Sequence, residues 1–125
     1  MSELFVSWAD YHRSIENLIA QVHRSGWPFD HVVCIARGGA RVGDVVARAF
    51  RKPLHIVLAQ HDASRAGSPL VSDQIASLGD APHGAVLLVD DVAASGATLA
   101  TVKEMLVGRY PAISEVRTAV VWQQG

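Results

Sequence analysis

The fold is decided by the stretch Val86-Leu87-Leu88-Val89-Asp90-Asp91-Val92-Ala93-Ala94-Ser95-Gly96-Ala97-Thr98. An apolar, β-branched run ends in two aspartates, and small residues then lead into a helix that we predict from about Thr98 to Val107. Gly108 and Pro111 end that helix. This pattern is typical of a buried parallel strand that is followed by a helix.

Strand and helix patterns alternate on both sides of this stretch, which predicts a single α/β domain over residues 1–125. Alternation implies right-handed crossovers, so we expect a Rossmann-like three-layer sandwich with a mostly parallel sheet. The segment 60–84 has little pattern and is expected to be a mobile lid, with a helical turn or two at 71–78. The other predicted elements are a helix between Ser7 and Gly26, a strand at His31–Ala36, a helix around 42–49, a strand at Leu54–Ala59 and a last strand at Val116–Trp122.

Composition excludes several classes of function. Half of the 125 residues are hydrophobic, which fills one core, and eleven basic against twelve acidic residues give a formal charge of −1. That balance supplies no general attraction to nucleic acid or to an anionic membrane. No apolar run approaches the ~20 residues that cross a bilayer. The only cysteine, Cys34, cannot form an internal disulfide, which fits a cytoplasmic location.

The loop Ala94-Ser95-Gly96-Ala97-Thr98 is a candidate phosphate site. It joins a buried strand to a helix, where unpaired backbone N–H groups and the positive end of the helix converge. Ser95 and Thr98 add hydroxyl donors, and Gly96 can adopt the positive φ that such a loop needs.

Asp90 and Asp91, just before this loop, would repel a phosphate placed beside them. They make sense if the ligand presents hydroxyl groups or a metal ion at that position. A phosphorylated sugar does so, because its diol can donate to the carboxylates while Mg²⁺ bridges nearby oxygens. The sequence therefore predicts a phosphorylated sugar rather than a simple anion.

A second candidate anion loop, Arg37-Gly38-Gly39-Ala40-Arg41, follows the strand His31–Ala36. Arginine can hold a pyrophosphate through two parallel hydrogen bonds, and the glycines let the backbone come close. In a parallel sheet, loops after neighbouring strands meet at one edge. A ligand with a monophosphate, a diol and a pyrophosphate fits both loops.

These motifs resemble those of the type I phosphoribosyltransferases. The stretch from Val86 to Thr98 is similar to the family's binding signature for 5-phosphoribosyl 1-pyrophosphate (PRPP), and Ala36-Arg37-Gly38-Gly39 resembles its pyrophosphate loop. The opening Phe5-Val6-Ser7-Trp8 and the overall spacing are similar to the small bacterial xanthine-guanine branch. The resemblance covers nearly the whole chain, from about Phe5 to Trp122.

The resemblance implies transfer of a ribosyl group from PRPP to a nitrogenous base, with Mg²⁺ as cofactor and pyrophosphate as product. Asp90 and Asp91 would be the catalytic residues and bind the ribose hydroxyls, directly or through Mg²⁺. In this family the peptide bond before the glycine equivalent to Gly38 is often cis. The remaining implied ligand contacts are Ala94, Ser95, Gly96, Ala97 and Thr98 at the 5-phosphate and Arg37, Gly38 and Gly39 at pyrophosphate.

The lid and the base pocket supply further candidates. His61, Asp62 and Arg65 stand at the start of the lid and are candidate contacts to the substrate. Trp122 falls where the 6-oxopurine branch has a base-reading lysine, and it could stack on a ring or cover it.

The chain departs from the purine-salvage pattern at Ala94, where the 6-oxopurine enzymes carry an acid that assists at the base nitrogen. Adenine-specific relatives carry a small residue there, so the acceptor base stays open. The chain also ends at Gly125, before the C-terminal hood of the relatives, and the pocket could be completed by the N-terminal segment, by a partner subunit or by a further piece of chain. We therefore expect a homo-oligomer.

Two other functions remain for comparison. A receiver-type phosphoacceptor domain also ends a strand in paired aspartates, but its acidic acceptor on another central strand and its lysine near the last strand have no counterpart in this sequence. A non-catalytic protein with the same fold, which binds PRPP or nucleotides for regulation or assembly, is the nearer alternative.

Overall fold

The computed structural model describes residues 8–61, 69–72, 75–93 and 96–123. Within these ranges the helices and strands alternate much as the sequence predicts. The elements are α1 (Trp8–Ser25), β1 (His31–Ala36), α2 (Ala40–Phe50), β2 (Leu54–His61), β3 (Pro69–Val71), β4 (Ala76–Ser77), β5 (Gly84–Ala93), α3 (Ala97–Arg109) and β6 (Ile113–Gln123).

The strands form one sheet in the order β3-β2-β1-β5-β6, and β4 also pairs with β2. The four long strands are parallel, while β3 and β4 run antiparallel to β2. β1 and β5 are direct neighbours, with Cys34 opposite Val89. The loops that follow these two strands therefore leave the same edge of the sheet, and the prediction of a mostly parallel sheet is confirmed.

Helices cover both faces of the sheet, as the three-layer prediction required. Alternate residues of the central strands point to opposite faces, so β1 and β5 are buried on both sides. On one face Val32 and Leu87 pack with Ile15 of α1 and Val46 of α2. The other face carries a second core, in which the partners are Val33, Ile35, Val86, Leu88, Val102 and Leu106. Of the helices in the described ranges, none combines the length and apolar character that crossing a bilayer requires.

Helix α2 lies unusually close to β1, because a glycine faces the strand. A β-carbon added to Gly43 would lie 2.4 Å from Cβ of Cys34, a distance at which atoms overlap. Glycine at position 43 therefore allows α2 to pack this closely against β1. The position of α2 in turn fixes the loop between β1 and α2.

The prediction of helical turns at 71–78 is wrong. Val71 ends β3, and Ala76–Ser77 form β4, both paired with β2. Strand β2 would otherwise present unpaired N–H and C=O groups at the edge of the sheet, and only an extended segment can pair with them. Of the predicted lid, only residues 62–68 and 73–74 lie outside the described ranges.

Candidate active site

The loop after β1 touches both aspartates at the end of β5. A β-carbon on Gly38 would lie 2.5 Å from Oδ1 and 2.6 Å from Oδ2 of Asp91. One on Gly39 would lie 3.1 Å from Cα of Asp90. The turn after β1 and the two aspartates thus share one place at the edge of the sheet, and only glycines leave room for the carboxylates there.

Backbone hydrogen bonds close the turn that carries Arg37. The N–H of Gly39 donates to the carbonyl oxygen of Ile35 at 2.7 Å, and that of Gly43 donates to Gly39 at 2.8 Å. The cis peptide bond joins Ala36 to Arg37, whereas we expected it between Arg37 and Gly38.

Asp90 is nearly buried, with 8% of its surface exposed, and its Oδ1 accepts the N–H of Asp91 at 2.8 Å. Burial raises the pKa of the Asp90 carboxyl to about 6; the hydrogen bond from the Asp91 N–H opposes the rise, and the neighbouring Asp91 carboxylate adds to it. A buried carboxylate beside a second one is stabilised by any cation or hydroxyl donor that reaches it. The pair is therefore suited to bind such groups.

The start of α3 has the geometry that the sequence predicts. Gly96 precedes the helix with φ of 81°, in the left-handed region that favours glycine. Gly96, the N-cap residue, has no side chain with which to cap the helix. Thr98 lies in the first turn, half-buried. Ala94 and Ser95, the first residues of the predicted phosphate loop, lie outside the described residues.

A cleft of about 850 Å³ opens on the β2 side of the pyrophosphate loop. Its lining includes Ala36, Arg37 and Gly38 at the end of β1 and after it, together with Leu58 of β2 and Ser72 after β3. Arg37 is exposed, so its guanidinium is accessible to a ligand. The cleft is large enough for a small phosphorylated ligand.

Sequence reasoning missed the first turn of α1 as a border of the site. Burial raises the pKa of the Tyr11 phenol, the charge of Asp91 raises it further, and the charge of Arg41 lowers it. Arg41 also stands 3.2 Å from the ring of His12, Nη2 to Nε2. No local signal links α1 to residues some eighty positions later, and only the fold brings them together.

The structure describes only the backbone of two of the remaining predicted contact residues, His61 and Trp122. The backbone of His61 ends β2 opposite Pro69, so the predicted lid leaves the same edge of the sheet as the aspartates. The backbone of Trp122 in β6 pairs with Val92, just beyond Asp91. The side chains of His61 and Trp122, and all of Asp62 and Arg65, lie outside the described residues, so these contacts stay predictions.

The described residues contain no group of three or more histidine, cysteine, aspartate or glutamate side chains arranged around a metal ion. Two adjacent carboxylates are instead a donor set for Mg²⁺, which commonly takes one or two carboxylates and completes its shell with ligand oxygens and water. The buried Asp90 and the half-buried Asp91 fit such a role.

The structure is similar to those of several solved phosphoribosyltransferases. It matches the xanthine-guanine-hypoxanthine phosphoribosyltransferase of Helicobacter pylori with a TM-score of 0.77 at 21% identity, covering 94% of this chain and 76% of that one. It matches the purine phosphoribosyltransferase of Pyrococcus horikoshii with a TM-score of 0.76 at 23% identity, covering 94% and 75%. For the orotate enzyme of Aeropyrum pernix the TM-score is 0.62 at 22% identity, with 94% and 73% covered.

At the level of sequence, the family model described as "Phosphoribosyl transferase domain" matches residues 7–125. That span contains both loops and both aspartates. With the three-layer fold and the shared edge of the sheet, this match shows that the chain belongs to the phosphoribosyltransferase family, in a fold close to that of the xanthine-guanine enzymes.

Proposed function

We propose that this chain uses PRPP and Mg²⁺ to transfer a 5-phosphoribosyl group to a nitrogenous base, with release of pyrophosphate. The bond that breaks joins the anomeric carbon of the ribose to the pyrophosphate oxygen. The bond that forms joins the same carbon to a nitrogen of the base. The protein's part is to hold the two ends of PRPP and to stabilise charge.

The single observation that supports this proposal is the contact of Gly38 with Asp91. It joins a candidate pyrophosphate loop to a candidate diol-binding carboxylate within one van der Waals contact. PRPP carries its pyrophosphate on C1 of the ribose, beside the 2- and 3-hydroxyls, so the two groups of the protein need to be adjacent. A simple phosphate site would not need both.

The remaining roles follow from this arrangement. Arg37 with Gly38 and Gly39 would bind the pyrophosphate, and residues 94–98 would bind the 5-phosphate at the start of α3. Asp90 and Asp91 would accept hydrogen bonds from the ribose hydroxyls and hold Mg²⁺, which would neutralise charge on the pyrophosphate.

Ala94 and the similarity to purine enzymes limit which base can accept the ribosyl group. Alanine at position 94 cannot transfer a proton, so the base must react without help from that position. A purine is consistent with the similarity to the purine enzymes, and Trp122 would cover it. We further propose that the protein acts in the cytoplasm as a homo-oligomer.

Calorimetry and pyrophosphate release together test the proposal. Mg²⁺-dependent binding of PRPP is expected for any member with this site, whereas release of pyrophosphate on addition of nucleobases is expected only for an enzyme. Replacing both aspartates with asparagine, Asp90→Asn with Asp91→Asn, should weaken Mg²⁺-dependent PRPP binding by well over tenfold, a loss of more than about 1.4 kcal/mol.

A matched control is Asp44→Asn, which removes a carboxylate on α2 that pairs with Arg48. This exposed ion pair contributes little, so both PRPP binding and stability should be unchanged. Equal affinity for PRPP in the double variant and the control would refute the proposed site. Binding without turnover on any nucleobase would instead favour the non-catalytic alternative.

A further inference from the structure

Three histidines meet at the edge of the sheet opposite the candidate active site. His31 opens β1, His55 is the second residue of β2, and His83 precedes β5. His31 and His55 are buried, with 4% and 1% of their surfaces exposed. At about 3.3 Å per residue, His31 is roughly 17 Å from the far end of its strand, so the proposed reaction does not use this cluster.

The two buried rings form a continuous hydrogen-bonded chain with a serine of β4. Nδ1 of His31 lies 2.8 Å from Nε2 of His55, and Nδ1 of His55 lies 2.5 Å from Oγ of Ser77. A neutral imidazole has one N–H and one acceptor nitrogen, so two neutral rings satisfy the chain in either direction. Added protons place positive charge in this buried site. When both rings are charged, the N–H at Nδ1 of His31 points at the N–H at Nε2 of His55, so the hydrogen bond between the rings is lost.

The surroundings of the rings oppose a positive charge on balance. Burial lowers the pKa of both rings, and the ring of His83, centred 4.5 Å from that of His31, lowers both further. Asp30 before β1 and Asp80 after β4 act in the opposite direction on His31, and Lys52 before β2 lowers its pKa. For His55 the causes are burial, His31 and His83, which bring its pKa to about 4.

Ser77 follows, five residues later in the sequence, the residue Ser72 that lines the cleft. In β4, Ser77 pairs with His55 and Ala76 with Ile56, so the strand is only two residues long. Further up β2, Val71 of β3 pairs with Ala59, and the N–H of Ser72 donates to Leu58 at 2.8 Å. Val71 and Ser72 line the cleft beside the pyrophosphate loop.

We propose that His31, His55 and Ser77 form an acid-sensitive latch, which holds β4 on β2 while both rings are neutral and releases it when they are protonated. Because β4 is only two residues long, the bond from His55 to Ser77 is a substantial part of its attachment to β2. The neighbouring Ile75 is held separately, since its N–H donates to the hydroxyl of Tyr110 at 3.4 Å. Release of β4 loosens the wall of the cleft that β3 provides. The latch stands on its own, and only its effect on ligand binding rests on the proposed function.

The direction of the pH dependence follows from linkage. Both rings have folded-state pKa values below the ordinary 6.5, so the released state binds more protons as the pH falls. The latch is therefore fully closed above about pH 6.5 and opens as the pH falls from there toward 4.

Hydrogen–deuterium exchange tests the latch in the full chain. Between pH 7 and pH 5, protection of residues 75–83, corrected for the intrinsic exchange rate, should fall about tenfold, while protection of 86–89 in β5 stays constant. Protection at 75–83 that does not change with pH would overturn the proposal. So would ring titrations of His31 and His55, followed by NMR in the unmodified protein, that both lie at or above 6.5.

Variants separate the latch from general acid sensitivity. Ser77→Ala keeps both rings and removes their link to β4, so residues 75–83 should already exchange rapidly at pH 7. The exposed His23 of α1 provides the matched control, and His23→Asn should retain the pH dependence of the unmodified protein. The proposal would be overturned if residues 75–83 were as well protected in Ser77→Ala as in the control at pH 7.

Pyrophosphate with Mg²⁺ then serves as a probe of the cleft at pH 7.5. Ser77→Ala should bind it several-fold more weakly than His23→Asn does, because the β3 wall is loosened. If no variant binds pyrophosphate, the proposed function fails while the exchange results still decide the latch. Equal binding by both variants would refute the coupling to the cleft.

Discussion

Gly38 lies against the carboxylate of Asp91 with no space for a side chain between them, since a β-carbon there would come within 2.5 Å of Oδ1. The contact joins the turn after β1 to the end of β5, two segments more than fifty residues apart in sequence. It is the point at which the two halves of the candidate site meet.

Gly38→Ala is therefore expected to displace Asp91 or the turn. Binding of Mg²⁺ and PRPP should weaken by at least about tenfold, because the two groups that hold adjacent parts of the ligand would separate. The measurement is calorimetric titration with PRPP and Mg²⁺. Gly108→Ala is the control: nothing lies within 4 Å of its added carbon, and alanine in α3 should stabilise the fold by about 0.5–1 kcal/mol with binding unchanged.

Gly96 and Gly26 offer a matched pair for the start of α3. Both have positive φ, 81° and 68°, and among the residues that the structure describes nothing lies within 4 Å of a β-carbon added to either, so alanine brings the same backbone strain. Each substitution should lower the free energy of unfolding by about 1–2 kcal/mol in urea titrations. Only Gly96→Ala should also weaken phosphate or PRPP binding, because Gly26 lies after α1. Equal binding in both variants would argue against a phosphate site at α3.

Gly43→Ala tests the seat of α2 on β1. The added carbon would lie 2.4 Å from Cβ of Cys34, and overfilling of this kind costs about 1–3 kcal/mol of stability. Chemical denaturation measures the loss. Combining it with Cys34→Ala should restore little, since the closest clash is with Cβ rather than with Sγ. Full recovery in the double variant would show that the sulfur, and not the backbone approach, sets the distance.

Cys34 should be inert to thiol reagents in the folded protein. Its side chain has no exposed surface, and burial raises the pKa of the thiol to about 11, so almost no thiolate is present at pH 8. Reaction with a disulfide reagent should proceed only as fast as the protein opens. The rate should rise steeply in urea, and rapid labelling without denaturant would contradict the buried position.

Most of the fold could be predicted from local sequence patterns. The strand His31–Ala36 and the alternation of strands with helices were visible because burial on both faces demands continuous apolar runs. The positive φ of Gly96 followed from loop chemistry, and the approach of the turn after β1 to the aspartates followed from parallel topology.

What escaped prediction depends on distant partners. Residues 71–78 form strands because the edge of β2 needs partners, which their own sequence does not reveal. The approach of α1 to the site, seen in the influence of Asp91 on Tyr11, depends on how the helices stack. The bond between His31 and His55 likewise exists only because β1 and β2 are neighbours.

The β1–β5 pairing also joins the first part of the chain, from α1 to β4, to the last part, which consists of β5, α3 and β6. A substrate that contacts both the turn after β1 and the end of β5 would hold these two parts together and so stabilise the folded state. At a hundredfold excess over its dissociation constant, it would add about 2.7 kcal/mol to the domain's resistance to unfolding, so substrate supply would govern how long the protein survives as well as how fast it works.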